Sequence, residues 1–303
     1  MIYLRNFSLM TRSEEEDFMI GFKRTCFDSN YPFGIFSHEK NLERIEFSEI
    51  TIFCGGNGSG KSTLLNIIAE KLHLNRETCY NKTYFFEPYI ERCHCELHTN
   101  DRVKLNSLMS VSRIITSDDV FNHIIDVRHK NEDLSFRRDL AFEMKSQMNA
   151  YGGNSKGDRP RRIDMDDPES IQAFRDYCDL TKKSASRFVR DNVGVEERTY
   201  SNGENGFKYF TDAIQPGGLY LLDEPENSLS AEMQLELSHF LLGMRAYYDC
   251  QFVLSSHSPF LLSLPGAKIY NMDAEPVYTC NWTELPNVRI YHEFFSDHQA
   301  EFE

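Results

Sequence analysis

The amino-acid sequence predicts an α/β fold built on a mostly parallel β-sheet. Short apolar segments alternate with longer segments in which apolar residues recur at helical spacing, an order typical of parallel sheets with helical crossovers. Several apolar segments end in glycine or polar residues, the strand end at which open α/β sheets bind ligands. Of the 303 residues, 40% are hydrophobic and 13% are aromatic, so the chain has enough apolar surface for a packed core.

Hydrophobic periodicity places the individual elements along the chain. In the first half it predicts one helix and four strands, the helix at 62–73 and the strands at 1–10, 43–54, 82–90 and 93–105. The segment from 118 to about 150 is charged and has a helix-like pattern. The segment at 152–168 is rich in Gly, Pro, Asp and Arg, which predicts a loop, and the segment at 168–190 again indicates a helix. An α/β pattern then returns, with helices at 206–214 and 229–247 and strands at 218–223, 251–256 and 268–271.

Composition narrows the class of protein. Lys and Arg total 33 and Asp and Glu total 47, which gives a net charge of −14. An acidic chain repels nucleic acid at long range, so such binding would need a local patch, and the basic residues within 154–198 are the candidate. Aspartates lie among them, so an ordinary solvated surface is the favoured interpretation and a contact to nucleic acid or an acidic partner is the alternative. No run approaches the roughly 18 apolar residues that span a bilayer. Eight scattered cysteines fit a reducing compartment, and we expect a cytoplasmic protein without a membrane segment.

A glycine-rich segment follows the apolar strand predicted before residue 55 and opens the helix at 62–73. It fits the pattern G-x-x-x-x-G-K-[ST], in which glycines let successive backbone N–H groups point at phosphate oxygens. Lys61 would neutralise the β- and γ-phosphates, and the Ser62 hydroxyl would ligate Mg²⁺. The sequence therefore predicts an ATP site, and the residues assigned to it here are Gly55, Asn57, Gly58, Ser59, Gly60, Lys61, Ser62 and Thr63.

Two carboxylates come directly after the apolar strand at 218–223. Asp223 would hold Mg²⁺ together with Ser62, and Glu224 would orient and deprotonate an attacking water. An acidic pair after a strand is by itself more often a helix cap, but the phosphate-binding loop (residues 55–62) favours the catalytic interpretation.

Two further polar segments flank these carboxylates. The segment Ser201-Asn202-Gly203-Glu204 begins 22 residues before Asp223, and His257 follows the strand at 251–256, 34 residues after Asp223. Each segment alone is an ordinary turn. Their order and spacing relative to the phosphate-binding loop make them candidate site residues.

Together these four motifs resemble the ABC class of ATPases. Within that class, the chain is similar to small stand-alone bacterial proteins labelled "AAA family ATPase", which are related to the SMC and recombination-repair ATPases. The resemblance also includes Tyr31-Pro32-Phe33, the segments at 117–121 and 223–226, and the late segment at 264–270.

The resemblance implies a fold and a mechanism. We expect a P-loop NTPase of ABC type, with a nucleotide-binding core at 1–116 and 200–303 that includes an antiparallel β subdomain. The remainder, 117–199, would form a helical subdomain carrying an inserted module. Two copies would pack head to tail on binding ATP, with Ser201 and Gly203 of one copy closing the site of the other. His257 would sense the γ-phosphate, and hydrolysis would reopen the dimer to signal to a protein partner.

The chain departs from the ABC pattern at several positions, and these departures help to choose between an ATPase, an ATP-gated scaffold and a transporter subunit. Transporter ABC subunits carry a glutamine after the phosphate-loop helix, whereas this chain has no glutamine before Gln147; Ser117 or Asp118 stands in that region. Asn202 replaces a histidine that relatives in the subgroup have, and Ser230 replaces an aspartate common in the class. The leading interpretation is an ATPase acting on a macromolecule in DNA repair or phage defence. A slow or non-hydrolysing ATP-gated scaffold is the alternative, and a transporter subunit fits less well.

Overall fold

The computed structural model describes residues 1–22, 27, 29–98, 101–153, 193 and 202–302. The chain divides into two units. The first contains Met1–Asn122 and Tyr200–Glu303, and the second contains His123–Thr199. The first unit carries every strand named below.

The centre of the first unit is a six-stranded, mostly parallel sheet with the order β5-β6-β7-β3-β8-β9. Five strands run parallel, and only the edge strand β9 pairs antiparallel. In spatial order the strands are β5 (Arg113–Thr116), β6 (Leu219–Asp223), β7 (Gln251–Ser255), β3 (Ile50–Cys54), β8 (Lys268–Asn271) and β9 (Tyr278–Cys280). This arrangement confirms the predicted fold class.

A separate three-stranded antiparallel sheet has the order β2-β1-β4. Its strands are β1 (Leu4–Ser8), β2 (Arg44–Glu46) and β4 (His94–Leu97). This sheet is the predicted antiparallel part of the fold.

Helices cover the sheets and connect the strands. In the first half of the chain they are α1 (Arg12–Gly21), α2 (Lys61–Lys71), α3 (Phe86–Arg92), α4 (Arg102–Val111) and α5 (Ser117–Gly153). In the second half they are α6 (Asn202–Ala213), α7 (Ala231–Tyr247), α8 (Pro259–Leu262) and α9 (Pro286–Asp297).

Helix α2 positions the site because it packs against β6 and β7. Its apolar face, which includes Leu64, Ile67 and Ile68, is fully buried in the main hydrophobic core. Each such side chain stabilises the fold by roughly 1.5–3 kcal/mol relative to an exposed one. The start of α2, which carries Lys61 and Ser62, is therefore fixed to the central sheet.

Three of the predicted elements are wrong or incomplete. The strand predicted at 93–105 is the strand β4 only at His94–Leu97, and the helix α4 begins at Arg102. The strand predicted at 82–90 is instead the helix α3, because Phe86, Tyr89 and Ile90 are buried together at helical spacing. The strand predicted at 43–54 is two strands in different sheets, separated where the Ser48 N–H donates to Thr51 Oγ1.

The second unit is described through α5 and residue 193. Ala141 and Val193 are buried there, with Leu134 packed against them. The predicted loop at 152–168 begins within α5, which continues to Gly153, and the rest of it lies outside the described residues, as does the module at 154–198 apart from residue 193. In the part of the chain that the structure describes, we find no helix with the length and apolar character of a bilayer span.

Candidate functional site

The phosphate-binding loop connects the end of β3 with the start of α2. Gly58 and Gly60 have φ angles of 82° and 92°, a region that L side chains rarely adopt. A Cβ atom at Gly60 would also lie 3.1 Å from Ile35 Cγ2. The loop geometry and the packing beside it thus account for the glycine at position 60. The loop also ends at the N-terminus of α2, and the free backbone N–H groups of a helix N-terminus favour the binding of anions.

Lys61 lies buried at the centre of the site. Its Nζ donates to the carbonyl oxygens of Gly55 at 2.7 Å and Gly56 at 3.1 Å. The same atom lies 2.8 Å from His257 Nε2 and 3.6 Å from Glu224 Oε1. One ammonium group therefore brings the loop together with two residues that follow different strands.

Asp223 ends β6 and meets Ser62 from the phosphate-binding loop. Ser62 Oγ donates to Asp223 Oδ1 at 3.0 Å, and Ser255 Oγ donates to the same oxygen at 2.5 Å. Burial raises the pKa of Asp223, an effect opposed by these two hydroxyl donors. The serine hydroxyl and the carboxylate are hard oxygen donors, so this pair fits the ligand preference of Mg²⁺.

Glu224 adopts a left-handed backbone conformation, with φ of 48°. Its N–H donates to both the Ser255 carbonyl oxygen and Ser255 Oγ, and Asn227 Nδ2 donates to its Oε2 at 2.9 Å. The other carboxylate oxygen, Oε1, lies 3.6 Å from His257 Nε2. Such a conformation is rare for a residue other than glycine and turns the chain sharply at the end of β6.

Two cavities surround these residues. A polar cavity of about 640 Å³ is lined by Ser62, Asp223 and Glu224, and Ser117 and Asp118 also line it. A second cavity, of about 430 Å³, follows the phosphate-binding loop; its lining includes Asn57, Gly58, Ser59, Gly60, Lys61, Ser62 and Thr63. Ser117 and Asp118, which the sequence puts in the region where transporter subunits carry a glutamine, thus line the same cavity as the candidate Mg²⁺ ligands.

Gly203, from the polar segment at 201–204, lies elsewhere in the first unit. A Cβ atom at Gly203 would have as its three nearest neighbours atoms of Met233, Ser230 and Ser228, which belong to the segment after Glu224 and the start of α7. Ser201 lies outside the described residues. The sequence assigned both residues to ATP binding, and that assignment stays a prediction.

Three polar residues near the site have no role assigned from the sequence, although Glu226 lies in the segment at 223–226. Both carboxylate oxygens of Asp273 accept the Gly56 N–H at 2.8 Å, the Glu226 carboxylate accepts three donors around His257, and Asn287 donates to the His257 carbonyl oxygen. All three contact residues that are distant in sequence, so only the folded structure shows these contacts.

Burial also raises the pKa of Glu226, and the N–H of His257 is the main group that opposes this shift. The Oε1 atom of Glu226 accepts from the three donors, whereas its Oε2 atom is buried without a hydrogen-bond partner among the described residues.

This geometry defines a P-loop ATPase, with the glycine-rich loop, the Asp223–Glu224 pair and His257 gathered at one edge of a mostly parallel sheet. The chain belongs to the AAA_21 family, described as "AAA domain, putative AbiEii toxin, Type IV TA system", whose family model matches residues 89–263. That range includes Asp223, Glu224 and His257 and begins after the phosphate-binding loop.

Solved structures similar to this chain include two SMC head domains and a transporter cassette. The Smc head domain with an extended coiled coil bound to the C-terminal domain of ScpA, from Pyrococcus furiosus, is 13% identical, with 97% of this chain and 100% of that chain covered and a TM-score of 0.43. The SMC head domain from Thermotoga maritima is 13% identical, with 92% and 99% covered and a TM-score of 0.35.

A nucleotide-free ATP-binding cassette from an ABC transporter is 15% identical, with 96% of this chain and 99% of that chain covered and a TM-score of 0.40. No curated protein matches the chain.

Proposed function

We propose that this chain is a cytosolic enzyme that hydrolyses ATP to ADP and phosphate in a head-to-tail dimer and passes its nucleotide state to a macromolecular partner. The observation that carries the proposal is the meeting of Lys61 with Glu224 and His257 next to the Ser62–Asp223 pair. These four groups are the ones that phosphoryl transfer to water requires: a cation for the phosphates, oxygen ligands for Mg²⁺, a base and a γ-phosphate contact.

The roles follow from position. The backbone N–H groups of the phosphate-binding loop and Lys61 bind the phosphates, and Ser62 with Asp223 would hold Mg²⁺, which neutralises charge on the β- and γ-oxygens. Glu224 accepts a proton from the attacking water while the bond between the γ-phosphorus and its bridging oxygen breaks. His257, whose Nε2 lies 2.8 Å from Lys61 Nζ, would contact the γ-phosphate.

The dimer would complete the site. Gly203 lies beside Ser228 and Ser230, and in the proposed assembly this surface faces the phosphate-binding loop of the second copy. ATP then bridges the two copies, and its hydrolysis removes the bridge.

The partner and the biological setting rest on the resemblance. DNA repair and phage defence are the settings it suggests, and a protein partner or a nucleic acid would meet the module at 154–198. That module lies outside the described residues, so these roles are proposals from sequence alone.

The deciding experiment compares the wild-type chain with Glu224→Gln, by ATP turnover and by light-scattering mass with and without Mg-ATP. We expect Glu224→Gln to keep ATP binding, to lose about a hundredfold or more in turnover, and to accumulate as a dimer only with ATP. Glu236→Gln, at an exposed position on α7, is the matched control and should behave as wild type.

Unchanged turnover in Glu224→Gln would contradict the assigned base. If both proteins bind ATP and neither turns it over, the chain is an ATP-gated scaffold. Co-purification of a membrane protein with the wild-type chain would instead favour a transporter subunit.

A further inference from the structure

The Glu226 carboxylate is wrapped by the segment that carries His257. Glu226 lies in the short 3₁₀ turn at Pro225–Ser228 that follows the catalytic pair. Its Oε1 accepts from Ser256 Oγ at 2.9 Å, from the His257 N–H at 2.5 Å and from the Ser258 N–H at 3.2 Å. This one oxygen therefore accepts hydrogen bonds from three consecutive residues.

Asn287 holds the same peptide from the other side. It lies in the first turn of α9, and its Nδ2 donates to the His257 carbonyl oxygen at 3.3 Å. Its Oδ1 accepts from Cys54 Sγ at 3.9 Å. Burial raises the pKa of the Cys54 thiol to about 12, so the thiol stays protonated and remains a donor at neutral pH. Asn287 therefore joins the His257 segment to the last residue of β3, directly before the phosphate-binding loop.

These contacts fix the backbone of His257 at both of its hydrogen-bonding groups. The N–H is held by Glu226 and the carbonyl by Asn287, from two different elements. The imidazole itself lies 2.8 Å from Lys61 Nζ and 3.6 Å from Glu224 Oε1, and it is partly exposed, so the surrounding core does not enclose the ring.

We infer that Glu226 and Asn287 are positioning residues that set the place of the His257 imidazole against the γ-phosphate, an inference that rests on the proposed hydrolysis. Neither side chain contacts Lys61, Ser62 or Asp223 in the hydrogen bonds of the described residues, so both act through His257. A displacement of about 1 Å at a catalytic group can lower a rate by about a hundredfold. The two side chains are therefore required for the rate and not for ATP binding.

The kinetic test is a double-mutant cycle with His257→Ala. We expect Glu226→Ala and Asn287→Ala each to lower kcat by at least about tenfold and to leave KM for ATP within about twofold. Glu226→Gln, which keeps an acceptor oxygen, should lose less than Glu226→Ala. In the His257→Ala background neither change should lower kcat further, because both act through the same ring. Glu293→Gln, exposed on α9, is the control and should leave kcat unchanged.

A loss that is as large without His257 as with it would overturn the inference, since it would mean that the two residues serve the fold in general. Unchanged kcat in both alanine variants would overturn it as well.

A second arm does not depend on turnover. The chain has 10 histidines, and the imidazole signal of His257 in a carbon–proton correlation spectrum is assigned by its loss in His257→Ala. We expect Glu226→Ala and Asn287→Ala to move this signal while leaving the other nine in place, which also shows that the variants are folded. A His257 signal that stays in place in both variants refutes the positioning role. A signal that moves in a protein without ATPase activity keeps that role and refutes the proposed hydrolysis instead.

Discussion

At the scale of single residues, the position of Asp223 costs the fold stability. Its carboxylate is partly buried beside Ser62 and Ser255, and this burial raises its pKa. The folded chain therefore binds this proton more tightly than the unfolded chain does. The associated stability is fully present below the ordinary pKa of 3.8 and is lost as the pH rises through the raised value.

Because the pKa shift of Asp223 costs stability at neutral pH, we predict that Asp223→Asn stabilises the nucleotide-free protein there. The amide keeps an acceptor for both serines and carries no charge. Calorimetric melting without Mg²⁺ should give a higher Tm than wild type at pH 7, with a difference that shrinks towards pH 5. The variant should also lose the stabilisation that Mg-ATP gives the wild type. Asp212→Asn, at an exposed position, is the control, and a Tm below wild type in Asp223→Asn at pH 7 would contradict the argument.

Lys61 carries the charge that ATP binding needs. We expect Lys61→Ala to weaken ATP binding by about 10- to 100-fold, the equivalent of roughly 1.5–3 kcal/mol for a hydrogen bond to a charged group. Isothermal titration calorimetry measures this directly. Lys130→Ala, which removes an exposed lysine on α5, should bind as wild type does. A Kd for Lys61→Ala equal to the wild-type value would remove the assignment of the phosphate-binding loop.

At the scale of elements, Gln251 joins β7 of the central sheet to the antiparallel sheet. It is fully buried, and all its hydrogen-bonding capacity is used by backbone groups. Its Oε1 accepts the N–H groups of Tyr3 and Leu4, both at 2.8 Å, and its Nε2 donates to the carbonyl oxygens of Leu4 and Ser48, both at 2.9 Å. One side chain thus supplies the hydrogen-bond partners for these backbone N–H and carbonyl groups where the two sheets meet.

Replacing Gln251 with the similarly sized Met leaves these backbone groups buried without partners. We expect Gln251→Met to lower the free energy of unfolding by about 2–4 kcal/mol, because each unsatisfied group costs about 1–3 kcal/mol and the structure relaxes in part. Urea denaturation gives the midpoint and the slope. Gln215→Met, at an exposed side chain, should stay within about 0.5 kcal/mol of wild type; an equal effect in both variants would contradict the role of Gln251.

The central elements could be predicted from sequence because their signals are local. The strand at 268–271 was predicted with the bounds that β8 has, and α2 was recognisable from its apolar spacing and from the loop before it. The segment at 82–90 was not, because its aromatic residues suit a strand as well as a helix, and only burial beside α2 decides between them.

The residues of the candidate site likewise include some that could be predicted from the sequence and some that could not. Lys61, Asp223 and His257 were predictable because each stands in a motif and because the order of the motifs restricts the fold. Glu226 and Asn287 contact the backbone of His257 from 31 and 30 residues away, and neither contact could be predicted from the sequence, although Glu226 lies in the segment at 223–226.

At the scale of the whole molecule, the net charge of −14 acts on the proposed dimer. Two copies that approach each other repel at long range, and ATP adds further negative charge between them. Salt shortens the range of this repulsion, from a Debye length of about 10 Å at 0.1 M to about 3 Å at 1 M. An acidic homodimer held by bound nucleotide should therefore tighten as salt is added, unlike an assembly held by complementary charges.

We predict that the Kd of the Glu224→Gln dimer with saturating Mg-ATP falls severalfold when NaCl is raised from about 0.05 M to about 0.5 M. Sedimentation velocity at several protein concentrations measures this Kd, and the ATP affinity is titrated at each salt concentration to confirm saturation. The same protein with ADP is the control and should stay monomeric throughout. A dimer that weakens with salt would mean that opposite charges at the seam outweigh the repulsion between the two acidic copies. The basic residues within 154–198 would then be the first to substitute, since a charge-reversing change there should restore the tightening with salt.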